Sequence, residues 1–210
     1  AERARAQFDA HVQRATRDTE QRMRAYEQTL HGAAGLFTTA RNISRSDWRG
    51  YVANLRIDKY YPGIQAMGYA EAVTKGQLAV HASQIRAEGY PSYSVHPAGD
   101  RDRYAPVRYV EPFAGTNLRT LGYDMYSEPV RLAAMLRARD SGGATLSGKL
   151  TLMQDEQATR FEPGTVLYVP VYRQGAPTTT SDERAAALLG YVYASFRIYD
   201  LMIEVLRSHA

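Results

Sequence analysis

The residues able to do chemistry are scattered along this chain. His11, His31, His81, His96 and His209 stand far apart, and no two share a spacing that would put both imidazoles on one metal. There is no cysteine, which removes disulfides, thiolate zinc sites and thiol nucleophiles together. The carboxylate pairs Asp155-Glu156 and Asp182-Glu183 fall in polar stretches, where solvated turn residues outnumber acid–base dyads. No GxSxG elbow, P-loop or GxGxxG turn occurs. The chain therefore reads as a non-enzyme, with no catalytic residue, no metal site and no cofactor.

What stands out is tyrosine, sixteen against five phenylalanines. Tyr90, Tyr93, Tyr104, Tyr109, Tyr123, Tyr126, Tyr168, Tyr172, Tyr191 and Tyr193 all lie in the part of the chain that reads as sheet. Each offers an apolar body and a polar tip. A sheet face lined this way suits a flat, partly polar small molecule, because binding pockets combine apolar walls with a few placed hydrogen-bonding groups.

The elements that must position these side chains follow from periodicity. Residues 1–41 contain no proline, and Phe8, Val12, Ala15, Thr19, Met23, Tyr26, Leu30, Ala33 and Phe37 recur at steps of three and four. That spacing predicts one long amphipathic helix. Its length, roughly 60 Å at 1.5 Å per residue, exceeds what one small domain covers, so part of the stripe is expected to meet a second copy in a parallel homodimer. Ser44 and Ser46 before Asp47-Trp48-Arg49 predict a capped helix reaching about Ile57. After Pro62-Gly63 the texture changes to short apolar runs at 64–73, 93–96, 104–110, 144–152, 165–172 and 188–196, which read as strands. Helices are expected between them at 76–88 and at 128–140, the second capped by Ser127 with Pro129 in its first turn. Residues 178–182 read as a polar loop and 199–207 as a final helix.

Helices followed by clustered strands, without regular alternation, make this an α+β chain with an antiparallel sheet. The expected division is a helix and connector over 1–48, one ligand-binding domain over 49–200 and an exit helix over 201–210. The net charge of +4, from 26 Lys and Arg against 22 Asp and Glu, is spread along the chain, which argues against a nucleic-acid partner. With 44% hydrophobic residues the chain can bury a sizeable core.

Several strings occur in an order that resembles the CHASE family, which includes the plant cytokinin receptors. They are Tyr61-Pro62-Gly63-Ile64-Gln65-Ala66-Met67-Gly68-Tyr69, Gly89-Tyr90-Pro91, Arg103-Tyr104-Ala105-Pro106-Val107, Glu111-Pro112 and Leu121-Gly122-Tyr123-Asp124-Met125. Arg137-Ala138-Arg139, Pro170-Val171-Tyr172, Gly190-Tyr191-Val192-Tyr193 and Phe196-Arg197 continue the series. The resemblance implies an extracytoplasmic (periplasmic) ligand-sensing part of a bacterial inner-membrane receptor. Its output would be a cytoplasmic histidine kinase or diguanylate cyclase on the same polypeptide. The implied fold is a long N-terminal helix followed by a PAS-like antiparallel-sheet sensor domain, with a membrane-proximal half expected beyond residue 210.

Residue by residue, the resemblance implies that Asp124 anchors the ligand and that the backbone at Leu146 completes the recognition. Leu167, Val169, Gly190 and Tyr191 would be walls of the pocket, with Tyr104 and Tyr123 as neighbours of the anchor. The ligand would be small and adenine-like or otherwise planar. Val169 stands where the plant pattern has an aromatic. A sheet that instead presents its tyrosines to a periplasmic partner protein is the alternative. From chemistry alone, Asp124 could equally accept hydrogen bonds from the backbone of its own turn.

Overall fold

The computed structural model describes residues 2–40, 42–158 and 162–207; His209 lies outside them. The predicted long helix, α1, runs Glu2–Thr39. Helix α2, Arg45–Leu55, starts where the sequence placed it. The Ser44 hydroxyl accepts from the Asp47 N–H and the Asp47 carboxylate accepts from the Ser44 N–H, a reciprocal pair that satisfies two otherwise orphaned donors. It ends at Arg56, which holds a left-handed backbone (φ 52°) and leads into a single turn, Ile57–Tyr60.

Strand β1, Ile64–Glu71, follows, and then helix α3, Leu78–Ala87. The next elements are strand β2, Val107–Glu111, helix α4, Pro129–Ser141, and the short strand β3, Thr145–Leu146. The long strands β4, Pro163–Tyr172, and β5, Leu188–Arg197, flank a short helix α5, Ser181–Ala187, and helix α6, Ile198–Arg207, leaves the sheet. Their order across the sheet is β2-β1-β5-β4-β3, every pairing antiparallel, with Leu150–Thr151 added beside the start of β4. This is the α+β, PAS-like arrangement expected from the sequence.

Four local expectations are corrected. The cap of α4 is Glu128, whose carboxylate accepts from the N–H groups of Val130 and Arg131, while Ser127 instead donates to the Asp124 carbonyl. Residues 93–96 form no strand; His96 makes one isolated bridge to Tyr123. The run 144–152 breaks into two two-residue strands. The polar loop at 178–182 passes into α5 through a second reciprocal cap, between Thr180 and Glu183.

Each face of the sheet has its own core. On one face the second half of α1 lays Tyr26, Leu30, Ala33 and Ala34 over Met67, Leu167, Val169, Val192 and Phe196, with Trp48 of α2 closing the end. Burying each large apolar side chain contributes about 1.5–3 kcal/mol. The first half of α1 continues past the sheet, with Phe8 67% and Val12 47% exposed. On the other face α4 packs Ala134, Met135 and Ala138 against Tyr168, Tyr191 and Tyr193. Among the described residues, no helix is long and apolar enough to cross a membrane.

Candidate functional site

The alternation of each strand decides which side chains can share a site. Along β5, Tyr191, Tyr193 and Ser195 point to the α4 face while Val192, Ala194 and Phe196 point to α1, as expected of period-two geometry. Along β1 the α4 face carries only Ala66, Gly68 and Ala70, opposite Ser195, Tyr193 and Tyr191. Small residues are needed there because the Tyr193 ring lies directly over Gly68. A Cβ at that position would strike both this ring and the Tyr109 carbonyl. The α4 face is thus a layer of phenol rings on a floor of small residues.

At one end of this layer is a crevice of about 330 Å³. The end of β1 and the start of β5 form its sides, with Ala186 of α5, Arg173, and Tyr104 and Tyr126 completing the wall. The Tyr126 hydroxyl is 2.7 Å from that of Tyr191, and the Tyr191 ring stands edge-on to Tyr168 with centroids 6.3 Å apart. Burial pushes the Tyr126 and Tyr191 phenols above the ordinary range, so both remain protonated. Glu71 borders the crevice with its carboxylate 2.9 Å from His81 Nδ1 and 2.8 Å from Arg108 Nη1. Burial alone would raise that carboxyl, but His81 and Arg108 outweigh it and hold it below the usual value.

Asp124 is fully buried, and both of its carboxylate oxygens have donors within the chain. One accepts from the backbone N–H of Ala105 at 2.7 Å and of Tyr126 at 3.1 Å; the other accepts from Arg101 Nε at 2.8 Å. A buried carboxylate must find such partners, and here the turn and Arg101 provide them. Tyr104 is held nearby, its hydroxyl donating to the Gly99 carbonyl and accepting from the Arg101 N–H. Tyr123 lies under the Arg131 guanidinium, 5.3 Å from ring centroid to carbon.

Of the eight residues singled out from the sequence, Tyr104, Tyr123, Asp124 and Tyr191 come together on or beside the α4 face. Leu167 and Val169 do not. They belong to the core under α1, and the β4 residues that face α4 are Val166 and Tyr168. Gly190 also falls on the α1 side, where the Tyr69 ring takes the space a side chain would need. Leu146 sits on the edge strand with its side chain 41% exposed. For Leu167, Val169 and Gly190 the separation has one cause: a shift of one residue along a strand moves a side chain to the opposite face.

Sequence reasoning passed over Arg101 and Arg131, and it took Tyr168 and Tyr193 as part of a general excess. Arg131, Ala134, Met135 and Ala138 recur at i, i+3, i+4 and i+7, a spacing that marks one buried helix face and would have flagged the arginine. Among the described residues, no three His, Asp or Glu side chains are grouped so as to hold a metal.

Comparison with known proteins agrees with the order of motifs in the sequence. At 28% identity over 178 residues, the chain is similar to "Probable histidine kinase 4" of Oryza sativa subsp. japonica, covering 76% of this chain and 17% of that protein. It is 29% identical over 138 residues to "Probable histidine kinase 5" of the same plant, covering 65% of this chain and 10% of the relative. It thus spans less than a fifth of either relative. Among solved structures, the ligand-binding domain of the Pseudomonas aeruginosa PAO1 amino acid chemoreceptor PctC, in complex with GABA, superposes with a TM-score of 0.49 at 10% identity, over 97% of this chain and 65% of that one. The CHASE domain family model matches residues 41–210, and the chain belongs to the CHASE domain family.

Proposed function

We propose that this chain is the extracytoplasmic ligand-sensing domain of a bacterial inner-membrane receptor, and that it has no catalytic activity of its own. The observation that carries the reading is the CHASE match over residues 41–210. The output part of the receptor is a histidine kinase or a diguanylate cyclase on the same polypeptide. A small planar molecule, adenine-like or of similar shape, enters the crevice beside Tyr104 and Tyr126 and reaches the phenol layer behind it. Asp124 acts on the site by tying Ala105, Tyr126 and Arg101 together, and it reaches a ligand itself only when Arg101 swings away. Because the tyrosines of the sheet are buried rather than gathered into an exposed patch, a small-molecule site is favoured over a partner-protein surface.

Signalling in this reading is a population shift between two placements of the sheet against α1. Met202 of α6 faces Val12, Ala15 and Met23 of α1 across a groove, so the entering and leaving helices can move against one another. The exposed Phe8 and Val12 extend the apolar stripe of α1 towards a second copy in a parallel homodimer.

Thermal melting tests the site. A panel of adenine derivatives and other planar compounds is expected to contain at least one that raises the melting temperature, since a ligand bound only to the native state adds stability. Ala186→Trp, which fills the crevice from the exposed side of α5, should abolish that shift with little change in melting of the free protein. A shift that survives Ala186→Trp would place the ligand elsewhere and defeat the crevice assignment.

A further inference from the structure

Arg131 is a cation buried to 3% exposure on the α4 side of the sheet. The carboxylate within its reach, Glu128 at 3.9 Å, already uses both oxygens to cap α4 through the N–H groups of Val130 and Arg131. One guanidinium nitrogen, Nη2, donates to the Thr151 carbonyl at 2.8 Å. Nε is buried and, among the described residues, has no hydrogen-bond partner. Tyr168 and Tyr193, on the strands that Arg131 faces, end in buried hydroxyls that also lack a partner. Burial pushes the Tyr168 phenol up to about 12 against the opposing pull of Arg131, and it drives Tyr193 up as well, so both are donors at any physiological pH.

Arg131 and the Tyr168 hydroxyl act directly on one another, and the Tyr193 ring lies 6.4 Å from that of Tyr168, so one positive charge and two phenol hydroxyls neighbour one another without a carboxylate or carbonyl in hydrogen-bond contact with Nε or either hydroxyl among the described residues. Leaving such groups unmet is costly, and the cost disappears when an anion takes all three. We propose that Arg131, Tyr168 and Tyr193 form the anchor for a carboxylate group of a small organic acid. The two oxygens of a carboxylate can accept several charge-assisted bonds at once. A single cation, already partly offset by Glu128, balances a monoanion and falls short of a phosphate dianion. The route proposed for it is the crevice: Tyr126 lines it, the Tyr126 hydroxyl is bonded to that of Tyr191, and the Tyr191 ring contacts Tyr168. This inference rests on the sensor reading and adds the chemical class of the ligand.

The test uses the whole 210-residue chain, with acetate, propionate and benzoate set against acetamide, propionamide and benzamide, and adenine as a neutral planar control. At saturation at least one acid should raise the melting temperature by about 2–4 °C or more, and its amide should not. The shift should vanish in the Tyr168→Phe/Tyr193→Phe double variant, which keeps both rings. Without acid, that variant should melt near the parent temperature or above, because neither hydroxyl it loses makes a well-formed hydrogen bond among the described residues. Arg131→Gln should lose the response too; if it fails to fold, the double variant alone decides. Equal shifts with acids and amides would overturn the anchor, as would silence from every acid, a lower melting temperature of the acid-free double variant, or an acid response that the variant retains. Adenine binding that Ala186→Trp abolishes, alongside silent acids, would leave the sensor reading standing and remove only the carboxylate.

Discussion

The two faces of the sheet are built from the same residue type and treat it differently. Under α1 the buried tyrosines have met their hydrogen bonds: Tyr26 donates to the Pro62 carbonyl at 2.6 Å, Tyr69 to Leu189 at 2.9 Å and Tyr109 to Ile43 at 2.7 Å. Tyr69 and Tyr109 stack with Phe37, Tyr109 stacks with Trp48 and Tyr26 packs tilted on Phe196, while among the described residues Trp48 Nε1 and Arg45 Nε, beside Tyr109, are left unpaired. Under α4, Tyr126 and Tyr191 pair with each other, while among the described residues Tyr168 Oη, Tyr193 Oη and Arg131 Nε are left without a well-formed hydrogen bond. A face whose buried hydroxyls are all bonded is closed to a ligand at those groups and contributes stability. A face holding spare donors is incomplete by itself, and that incompleteness is where a ligand can add free energy.

The contrast can be broken most forcefully at Asp124. Asp124→Ala leaves the N–H groups of Ala105 and Tyr126 and the guanidinium of Arg101 without their acceptor. It should lower folding stability by about 2–3 kcal/mol in denaturant titration, the range for unpaired buried groups. If apo stability were near normal and only ligand stabilisation were lost, Asp124 would be a direct anchor and not a tie within the turn.

A smaller effect sharpens the difference between the faces. Tyr109→Phe removes a hydroxyl that donates to Ile43 and should cost about 1 kcal/mol in equilibrium unfolding. Tyr193→Phe, in the same strand sheet and equally buried, should cost nothing. Equal losses would show that the α4 face is as fully satisfied as the other, and the distinction would fall.

The smallest expected change is at the exposed end of α1. Removing residues 1–20 takes away Phe8 and Val12 but none of the buried Tyr26, Leu30, Ala33 and Ala34. Fold stability should move by less than about 0.5 kcal/mol, while the dimer fraction in sedimentation velocity should drop. An unchanged distribution would mean that this stripe does not carry the dimer.

Much of this molecule was readable from the chain alone. Steps of three and four over 1–41 mark α1, Ser44 with Asp47 marks the start of α2, and the breaker Pro62-Gly63 marks the change from helix to sheet. These signals are local, carried by residues within a turn of each other, so no knowledge of the rest of the chain is needed. The family followed from the order of short motifs; of the eight residues the resemblance implied, Tyr104, Tyr123, Asp124 and Tyr191 gather on or beside the α4 face, and Leu146, Leu167, Val169 and Gly190 do not.

Tertiary structure alone decided which residues face which side. Leu167 and Val169 alternate with Val166 and Tyr168, and both sets are apolar or aromatic because both faces of the sheet are buried. With no polar face to break the tie, the period of two gives no direction. Arg131 poses the same problem in a helix: Glu128 three residues earlier makes it look like half of a solvated pair. Only the packing of α4 onto β4 and β5, with the Thr151 carbonyl at its tip, removes it from water. Burial is a property of what comes together from distant parts of the chain, and so the unmet donors it creates cannot be seen in the sequence around them.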